Sequence, residues 1–455
     1  MIGLGFVGAA MAAAVADAND RAGNPVFDVV GLDRDTPEGV ARVDALNRGA
    51  LPFESPDAEL ARAIAQGRER GNLQATSDAD VLSSADVALV DINLDLSGTI
   101  EKPEVDFKNI CHLARTLAQK LPEGALIIVE TTVPPGTCAK VIAPELETGL
   151  ESRGLQGDAL LLAHSYERVM PGPDYFDSIV NFWRVYAGHT PEAADACEAF
   201  LSRVINVEDY PLRRLSTTTA SETAKVLENS YRAANIAFVE EWGRMAEAAG
   251  VDLFEVISAV RQRPTHNNIR QPGFGVGGYC LTKDPLFAKV GANALFGEQS
   301  LDFPFCQLAV RTNRDMPLVN LRRIADLAGG LDRKRVLLLG VAYRSEIGDT
   351  RHAPAEDFYR AATEMGARVE CHDPFVPRWE EISLDLPRDL PEAAGADVVV
   401  FAVPHNAYRE LDVFGWLGAS RPLVFDCDNV LSDATRSDLR KAGVTVQSTG
   451  RGDGL

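Results

Sequence analysis

The stretch "MIGLGFVGAAMAAAVADA", residues 1–18, decides the fold, and it admits two readings. It is apolar, rich in Ala and ends in small residues, as a secretory signal does. No Lys or Arg occurs before Arg21, however, so the basic start of a signal is missing. The other reading takes Gly3, Gly5 and Gly8 as a G-x-G-x-x-G turn, whose glycines allow a tight bend, close approach of a pyrophosphate and close packing of helix on strand. Residues 9–18 continue as helix material, "NDRAGNP" (19–25) interrupts it, and "VFDVVGLD" (26–33) reads as a buried strand. This is the order of a strand–helix–strand unit, and it favours the glycine turn. The strand ends on Asp33, where a carboxylate accepts the hydroxyls of an adenosine ribose and repels a 2′-phosphate, so the expected cofactor is NAD rather than NADP. The expected cofactor contacts are Gly3, Gly5, Phe6, Val7, Gly8, Asp33 and Arg34, with Thr132 further along. Only Met1 and Ile2 stand where the first strand should be, so upstream coding sequence is expected to supply further apolar, β-branched residues.

Working outward, 455 residues are enough for two or three domains, and 46% hydrophobic with 24% charged residues is ordinary for a globular chain. No run approaches the unbroken apolar length of a membrane span. A net charge of −21 disfavours nucleic acid and anionic membrane as partners, while leaving room for a local basic pocket. The seven cysteines are scattered, without C-x-x-C pairs or zinc-type spacing, and read as reduced thiols of a cytoplasmic protein with no metal site.

Three regions follow. Over residues 1–205, "FDVVGLD", "ADVALVDI", "GALIIVETT", "DALLLAHS" and "FWRVYAG" alternate with helical segments, which predicts a parallel sheet covered on both faces. From 206 to 315 a long helix starts near Ser216 and stops at Gly250, with Leu227, Tyr231, Ala234, Phe238, Trp242 and Met245 at helical spacing. Such a helix serves as a spine and often as a dimer surface. The glycine loop "RQPGFGVGGYCLTKDP" (270–285) comes next. From 316 to 455 the α/β order restarts: strand "RVLLLG", helix "APAEDFYRAATEMG", strand "RVECHDP", helix "LPEAAG", then strands "ADVVVFAV" and "PLVFDCD". Its first turn, "GVAYRSEIGDTR", has one glycine where a dinucleotide fingerprint needs three, so this domain is expected to bind something other than a second dinucleotide. The tail "STGRGDGL" reads as frayed, its "RGD" a coincidence. The fold class is α/β, with two Rossmann-like doubly wound domains joined by a long central helix.

Lys225 and Asn229 lie one helical turn apart, and an ammonium beside an amide can hold an oxyanion; the alternative is a solvated helix surface. Cys280 follows four closely spaced glycines and precedes a helix start, and a helix N-terminus with Lys283 nearby favours a reactive thiolate. An isolated cysteine is otherwise core filler. Thr131 and Thr132 end a strand before Pro134 and Pro135 and can hold a water or a cofactor amide. Glu167 ends another strand, as a carboxylate base or as a partner of Arg168. Arg351 is either an anion ligand or a surface charge at a helix start.

Taken in order, "GLGFVG", "ETTVPPGT", "SYERVMPG", "ETAKVLENSYRAANIAFVEE", "GFGVGGYCLTKDP" and "GVAYRSEIGDTR" resemble the successive motifs of the UDP-glucose/GDP-mannose dehydrogenase family over nearly the whole chain. The resemblance implies a four-electron oxidation of a UDP-sugar C6 alcohol to a carboxylate, with two NAD consumed and a thioester on the enzyme. It implies that Cys280 is the nucleophile, that Lys225 and Asn229 stabilise oxyanions, that Asp284 and Thr132 position water and that Glu167 is the general base or part of the proton relay. It also implies that Arg168, Arg270, Gly275, Gly277 and Arg351, together with Glu167, Lys225 and Asn229, contact the nucleotide sugar, and that the enzyme is a homodimer or larger homo-oligomer. The chain departs from the family pattern at "VDINLD", which puts cofactor contacts near Asp91 and Asn93 in doubt, and at Tyr166 and Thr282, where Pro is usual. "ERVMPG" resembles members acting on UDP-N-acetylhexosamines of the ManNAc or GlcNAc type, and "KD" after the cysteine resembles the UDP-glucose branch; the first is preferred. The rival classes are a two-electron hydroxyacid dehydrogenase and a non-catalytic NAD-binding protein.

Overall fold

Helix Phe6–Asp17 follows the glycine turn directly, with Gly5 as its N-cap, and Gly8 through Ala16 are all buried. A helix of Ala, Gly and Met that is apolar on every side can only be interior. The computed structural model describes residues 1–169 and 172–452. They form two units, one of Met1–Glu228 with Leu286–Asp302, the other of Asn229–Pro285 with the chain from Phe303 onward.

In the first unit the strands are β1 (Val29–Leu32), β2 (Leu73–Thr76), β3 (Val87–Val90), the hairpin β4 (Leu96–Gly98) and β5 (Pro103–Val105), then β6 (Leu126–Val129), β7 (Leu161–His164), β8 (Val185–Gly188) and β9 (Arg213–Arg214). β1 pairs with β2, and the order β3-β6-β7-β8-β9 continues the sheet. Ile2 joins the two parts by bridging Leu32 and Val90 in parallel. Its amide bonds Leu89 O, its carbonyl accepts from Asp91 N, and Leu32 N bonds Met1 O. Ile2 thus lies at the place in the sheet where the first strand is expected. The expectation of a wholly parallel sheet needs correction, because β8 runs antiparallel to β7. β8 therefore starts at the end of the sheet where β7 finishes, after the short helix Tyr175–Val180. Leu126 and Ile128 of β6 face one core, with the first helix and Leu60, while Ile127 and Val129 face another, with Ile110, Leu117 and Leu146. Both faces are covered, as strands this apolar require.

In the second unit β10 (Arg335–Leu339), β11 (Arg368–His372), the hairpin β12 (Arg378–Trp379) and β13 (Leu384–Asp385), β14 (Val398–Phe401), β15 (Leu423–Asp426) and β16 (Val446–Ser448) follow in sequence. β11-β10-β14-β15-β16 is a parallel sheet with Val336 and Leu338 on one core and Leu337 and Leu339 on the other. Two expectations fail here. "LPEAAG" is a loop, with Gly395 at φ +75, because Pro391 and this left-handed glycine leave only Glu392, Ala393 and Ala394 between them, less than one helical turn. The tail is not frayed through Gly452. Val446–Ser448 completes the sheet, Gly450 N bonds a Glu247 carboxylate oxygen at 2.5 Å, and Arg451 pairs with Asp252. Asp453 of "RGD", like Met170 and Pro171 of "ERVMPG", lies outside the described residues.

The spine helix is Thr218–Ala248, with the Thr217 hydroxyl accepting Ala220 N–H at its start and Gly250 at φ +73 after its end. Its large apolar stripe faces outward: Leu227, Tyr231, Phe238, Trp242 and Met245 are 52–65% exposed, while the smaller Val226, Ala233, Ala237, Val239 and Ala246 are buried. The periodicity was therefore real, but the face turned to the chain's own core is the one with small side chains.

Candidate active site

At the glycine turn, a Cβ on Gly3 would lie 2.2 Å from the Asp91 carbonyl and one on Gly8 would lie 1.9 Å from the Gly3 carbonyl, whereas Gly5 faces open space. Gly3 and Gly8 permit the packing of helix on sheet, and Gly5 leaves room for a pyrophosphate at the first amides of helix Phe6–Asp17. Asp33 is buried at the end of β1, where its Oδ2 accepts Leu4 N–H at 2.9 Å and its Oδ1 accepts Arg34 N–H at 2.8 Å. This carboxylate braces the turn, with Arg42 3.4 Å away; the Arg34 side chain is exposed. Phe6 stacks on Phe53, ring centroids 4.4 Å apart. The residues present fit NAD.

Behind the turn lies a cluster that sequence reasoning missed. Arg184 is 3.3 Å from Glu130, both almost wholly buried, and also donates to the Met11 sulfur. Burial pushes the Glu130 carboxyl up, opposed by Arg184. Burial, and then the charges of Glu130 and Glu167, push Asp91 well above the usual carboxylate range. A lone Arg in the apolar run "FWRVYAG" is the available signal, since a charge just before a buried strand demands a buried counter-charge.

Still in the first unit, Lys225 emerges from the spine helix and donates to the Glu167 carbonyl at 2.7 Å, with Glu167 Oε1 at 3.2 Å; both residues are buried. Glu167 Oε2 accepts Val169 N–H at 2.7 Å. Glu167 thus pairs with Lys225, not with Arg168. Arg168 instead engages Glu228 and the Trp183 carbonyl, and its guanidinium packs over the Tyr166 ring at 5.4 Å. Tyr166 donates to Glu228 at 2.9 Å and its ring faces the Lys225 ammonium at 5.4 Å, so the residue that replaces a proline supplies an aromatic wall. Thr132 is half-buried, and its neighbour Thr131 bonds Ile92 O at 2.9 Å. His164 bonds Ser221 at 2.8 Å; burial lowers its pKa to about 3, which keeps it neutral.

In the second unit Asn229 donates to Asp284 Oδ2 at 2.8 Å and Lys283 donates to Asp284 Oδ1 at 2.8 Å, with Asn229 and Asp284 buried. The Lys283 ammonium also lies 4.3 Å from the Tyr279 ring centroid. Cys280 is the exposed one of seven free cysteines. The expected helix does not begin at once: Lys283 N and Asp284 N bond the Cys280 carbonyl in a turn, and a 3-10 turn follows over Asp284–Leu286. The glycines are strictly required, since a Cβ on Gly277 would meet the His352 carbonyl at 2.5 Å and Tyr343 at 2.6 Å. Gly278 N bonds Arg351 O at 3.0 Å, and the Asn313 amide holds Val276 N and O at 2.8 and 2.7 Å. Gly275 is left-handed at φ +107. Arg351 itself forms a two-bond pair with Asp349, whose position two residues earlier was a readable signal. Arg270 is exposed, with the charges of Arg232 and Arg261 opposing its own.

At the first turn of the second unit's sheet, Val341 N and Ala342 N donate to Asp373 Oδ2 at 2.8 and 3.0 Å, and His405 lies 3.1 Å from the same oxygen. The amides that would cradle a dinucleotide phosphate are occupied by the protein's own carboxylate.

Models of the NAD binding, central and UDP binding domains of one family match residues 1–204, 219–315 and 337–433 in that order. The chain belongs to the UDP-glucose/GDP-mannose dehydrogenase family. Among its relatives, the UDP-N-acetyl-D-mannosamine dehydrogenase of Pyrococcus horikoshii is 28% identical over 100% of this chain and 99% of its own. A solved structure of the UDP-D-ManNAc dehydrogenase from that organism superposes with a TM-score of 0.83 at 27% identity, covering 99% of each chain. That of an NDP-N-acetyl-D-galactosaminuronic acid dehydrogenase from Methanosarcina mazei Go1 gives 0.80 at 26%, covering 99% of this chain and 95% of its own. The protein is thus an NAD-dependent nucleotide-sugar dehydrogenase of the UDP-glucose/GDP-mannose dehydrogenase family, with a UDP binding domain at residues 337–433. Among the described residues, no helix is long and apolar enough to cross a membrane.

Proposed function

We propose that this enzyme oxidises the C6 hydroxyl of a UDP-N-acetylhexosamine, of the UDP-N-acetylmannosamine type, to the carboxylate. What carries the substrate is the full-length likeness to relatives named for N-acetylhexosamines; what carries the chemistry is an exposed Cys280 on a glycine strap. NAD, when bound, accepts two hydrides in succession. Glu167 takes the hydroxyl proton as the alcohol becomes an aldehyde. The Cys280 thiolate adds to that carbonyl, and the thiohemiacetal oxyanion is held by Lys225 and Asn229, donors already fixed by Glu167 and Asp284. Loss of a second hydride leaves a thioester. Water placed by Thr132 and Asp284 attacks it, the C–S bond breaks, and the thiol and a carboxylate result. Alcohol, water and two NAD thus become acid, two NADH and three protons. Arg168, through Glu228 and Tyr166, shapes the wall beside Lys225. Arg270, Arg351 and the glycine strap at Gly275 and Gly277 serve the nucleotide sugar.

The same reading divides the chain into an NAD-binding part (1–205), a central part (206–315) and a UDP-sugar-binding part (316–455). It makes the outward stripe of the spine helix a homodimer surface, since so many adjacent large apolar residues mark an interface. It places the enzyme, with its free cysteines, in the cytoplasm. The test is to incubate the purified enzyme with NAD and UDP-N-acetylmannosamine, UDP-N-acetylglucosamine or UDP-glucose, measuring NADH and product mass. Two NADH per N-acetylhexosaminuronate are expected, and Cys280→Ala should make no acid while still binding both ligands. One NADH with a released aldehyde, or acid made by Cys280→Ala at near wild-type rate, rejects the thioester route; acid from UDP-glucose alone reassigns the sugar.

A further inference from the structure

One turn before Lys225, the spine helix carries Glu222, whose side chain is fully buried. Its Oε2 accepts Gly136 N–H at 2.6 Å and its Oε1 accepts Cys138 N–H at 2.7 Å. Burial raises this carboxyl, while the amides of Gly136, Thr137 and Cys138 and the Cys138 thiol pull it down. A carboxylate set among successive amides at the start of a helical segment, here Cys138–Glu151, is a strong local anchor. The anchored turn is the one that follows Thr132. Its other flank is also closed: a Cβ on Gly136, at φ +98, would lie 2.8 Å from the Phe296 ring, and one on Gly291 would lie 2.8 Å from the Pro135 carbonyl. Thr137 closes the turn on itself by donating to Pro134 O at 2.6 Å.

We infer that Glu222 is a positioning residue: it ties the Thr132–Cys138 turn to the helix that bears Lys225, so that Thr132 keeps a fixed distance from Lys225 and Glu167 for the water-consuming step. This rests on the thioester reading above. Glu222 touches neither substrate nor cofactor in this scheme, and it acts through the backbone of the turn. An anchor serving only stability would slow every step alike when weakened. An anchor serving the spacing of Thr132 would slow hydrolysis selectively.

The experiment uses the whole enzyme with Glu222→Gln, whose single carbonyl oxygen can accept one of the two amides while its NH2 opposes the other. The NADH burst of the first turnover is expected within 3-fold of wild type, steady acid formation is expected to fall about 10-fold or more, and intact mass after quenching should show the sugar acyl group retained on Cys280. If Glu222→Gln does not fold, Phe296→Ala, which frees the opposite flank from a half-exposed position, is expected to show the same selective retention. Burst and steady rate falling together, or neither changing, overturns the inference. Failure of the underlying reading shows separately, as wild-type enzyme that releases aldehyde or yields one NADH per sugar.

Discussion

Replacing Lys225 with Met keeps the length of the side chain and removes the ammonium that donates to the Glu167 carbonyl at 2.7 Å and sits 3.2 Å from its carboxylate. The two side chains are only 8% and 11% exposed, so water cannot take over these bonds. Breaking a buried pair by removing one partner costs about 3–5 kcal/mol, because the remaining charge is left without its counter-ion. Glu167 keeps the Val169 N–H bond, which places the expected loss at the lower end, about 3 kcal/mol. The assay is guanidinium denaturation of wild type, Lys225→Met, Glu167→Gln and the double variant, followed by circular dichroism. Because Lys225 and Glu167 touch, the double variant should lose less than the two single variants added together, with a coupling of about 1–3 kcal/mol. Acid formation by Lys225→Met should fall about 10²–10³-fold, the loss usual for one oxyanion donor. Additive single losses, or a Lys225→Met enzyme as stable and as fast as wild type, would refute both the pairing and the role.

Asp33→Ala should weaken NAD binding by about 1.5–3 kcal/mol and narrow the preference over NADP, and because Asp33 also holds Leu4 N–H, it should lower the melting temperature; unchanged titrations with both cofactors would contradict the assignment. Trp242→Glu on the outward stripe should convert a dimer to monomer in light scattering without altering the circular dichroism of the monomer, and an unchanged mass would remove the stripe as the interface. Burial raises the pKa of Glu240 to about 7 in the folded protein, so the folded state binds more protons than the unfolded state between about pH 4.5 and 7, and stability is lost as pH rises through that window. Glu240→Gln should therefore be more stable than wild type at pH 8 by about 3 kcal/mol and near it at pH 4.5, measured by urea denaturation; equal slopes with pH would count against it.

The glycine turn, Asp33, the runs that became β1, β3, β6, β7, β10, β11, β14 and β15, and the motif order were all legible in the residues, because each depends on local pattern: glycines where a Cβ would collide, apolar runs bounded by breakers, an acid at a strand tip. Register and direction were not. The antiparallel β8 depends on whether the chain between it and β7 crosses the sheet, and no residue of "FWRVYAG" records that. The tail looked frayed because its small polar letters carry no periodicity, and it is held by Glu247 and Asp252, about 200 residues earlier. The stripe of the spine helix announced an amphipathic helix, yet nothing in its spacing says which face the chain keeps for itself, since Ala and Val pack a helix more closely than Trp and Phe do. Site residue types were visible, but their pairing was not: Glu167 with Lys225 rather than Arg168, Lys283 with Asp284, Arg351 with Asp349, and Glu222 with the amides after Thr132. Each pairing is a choice among charges made by distance and burial, and three-dimensional packing alone brings the partners together.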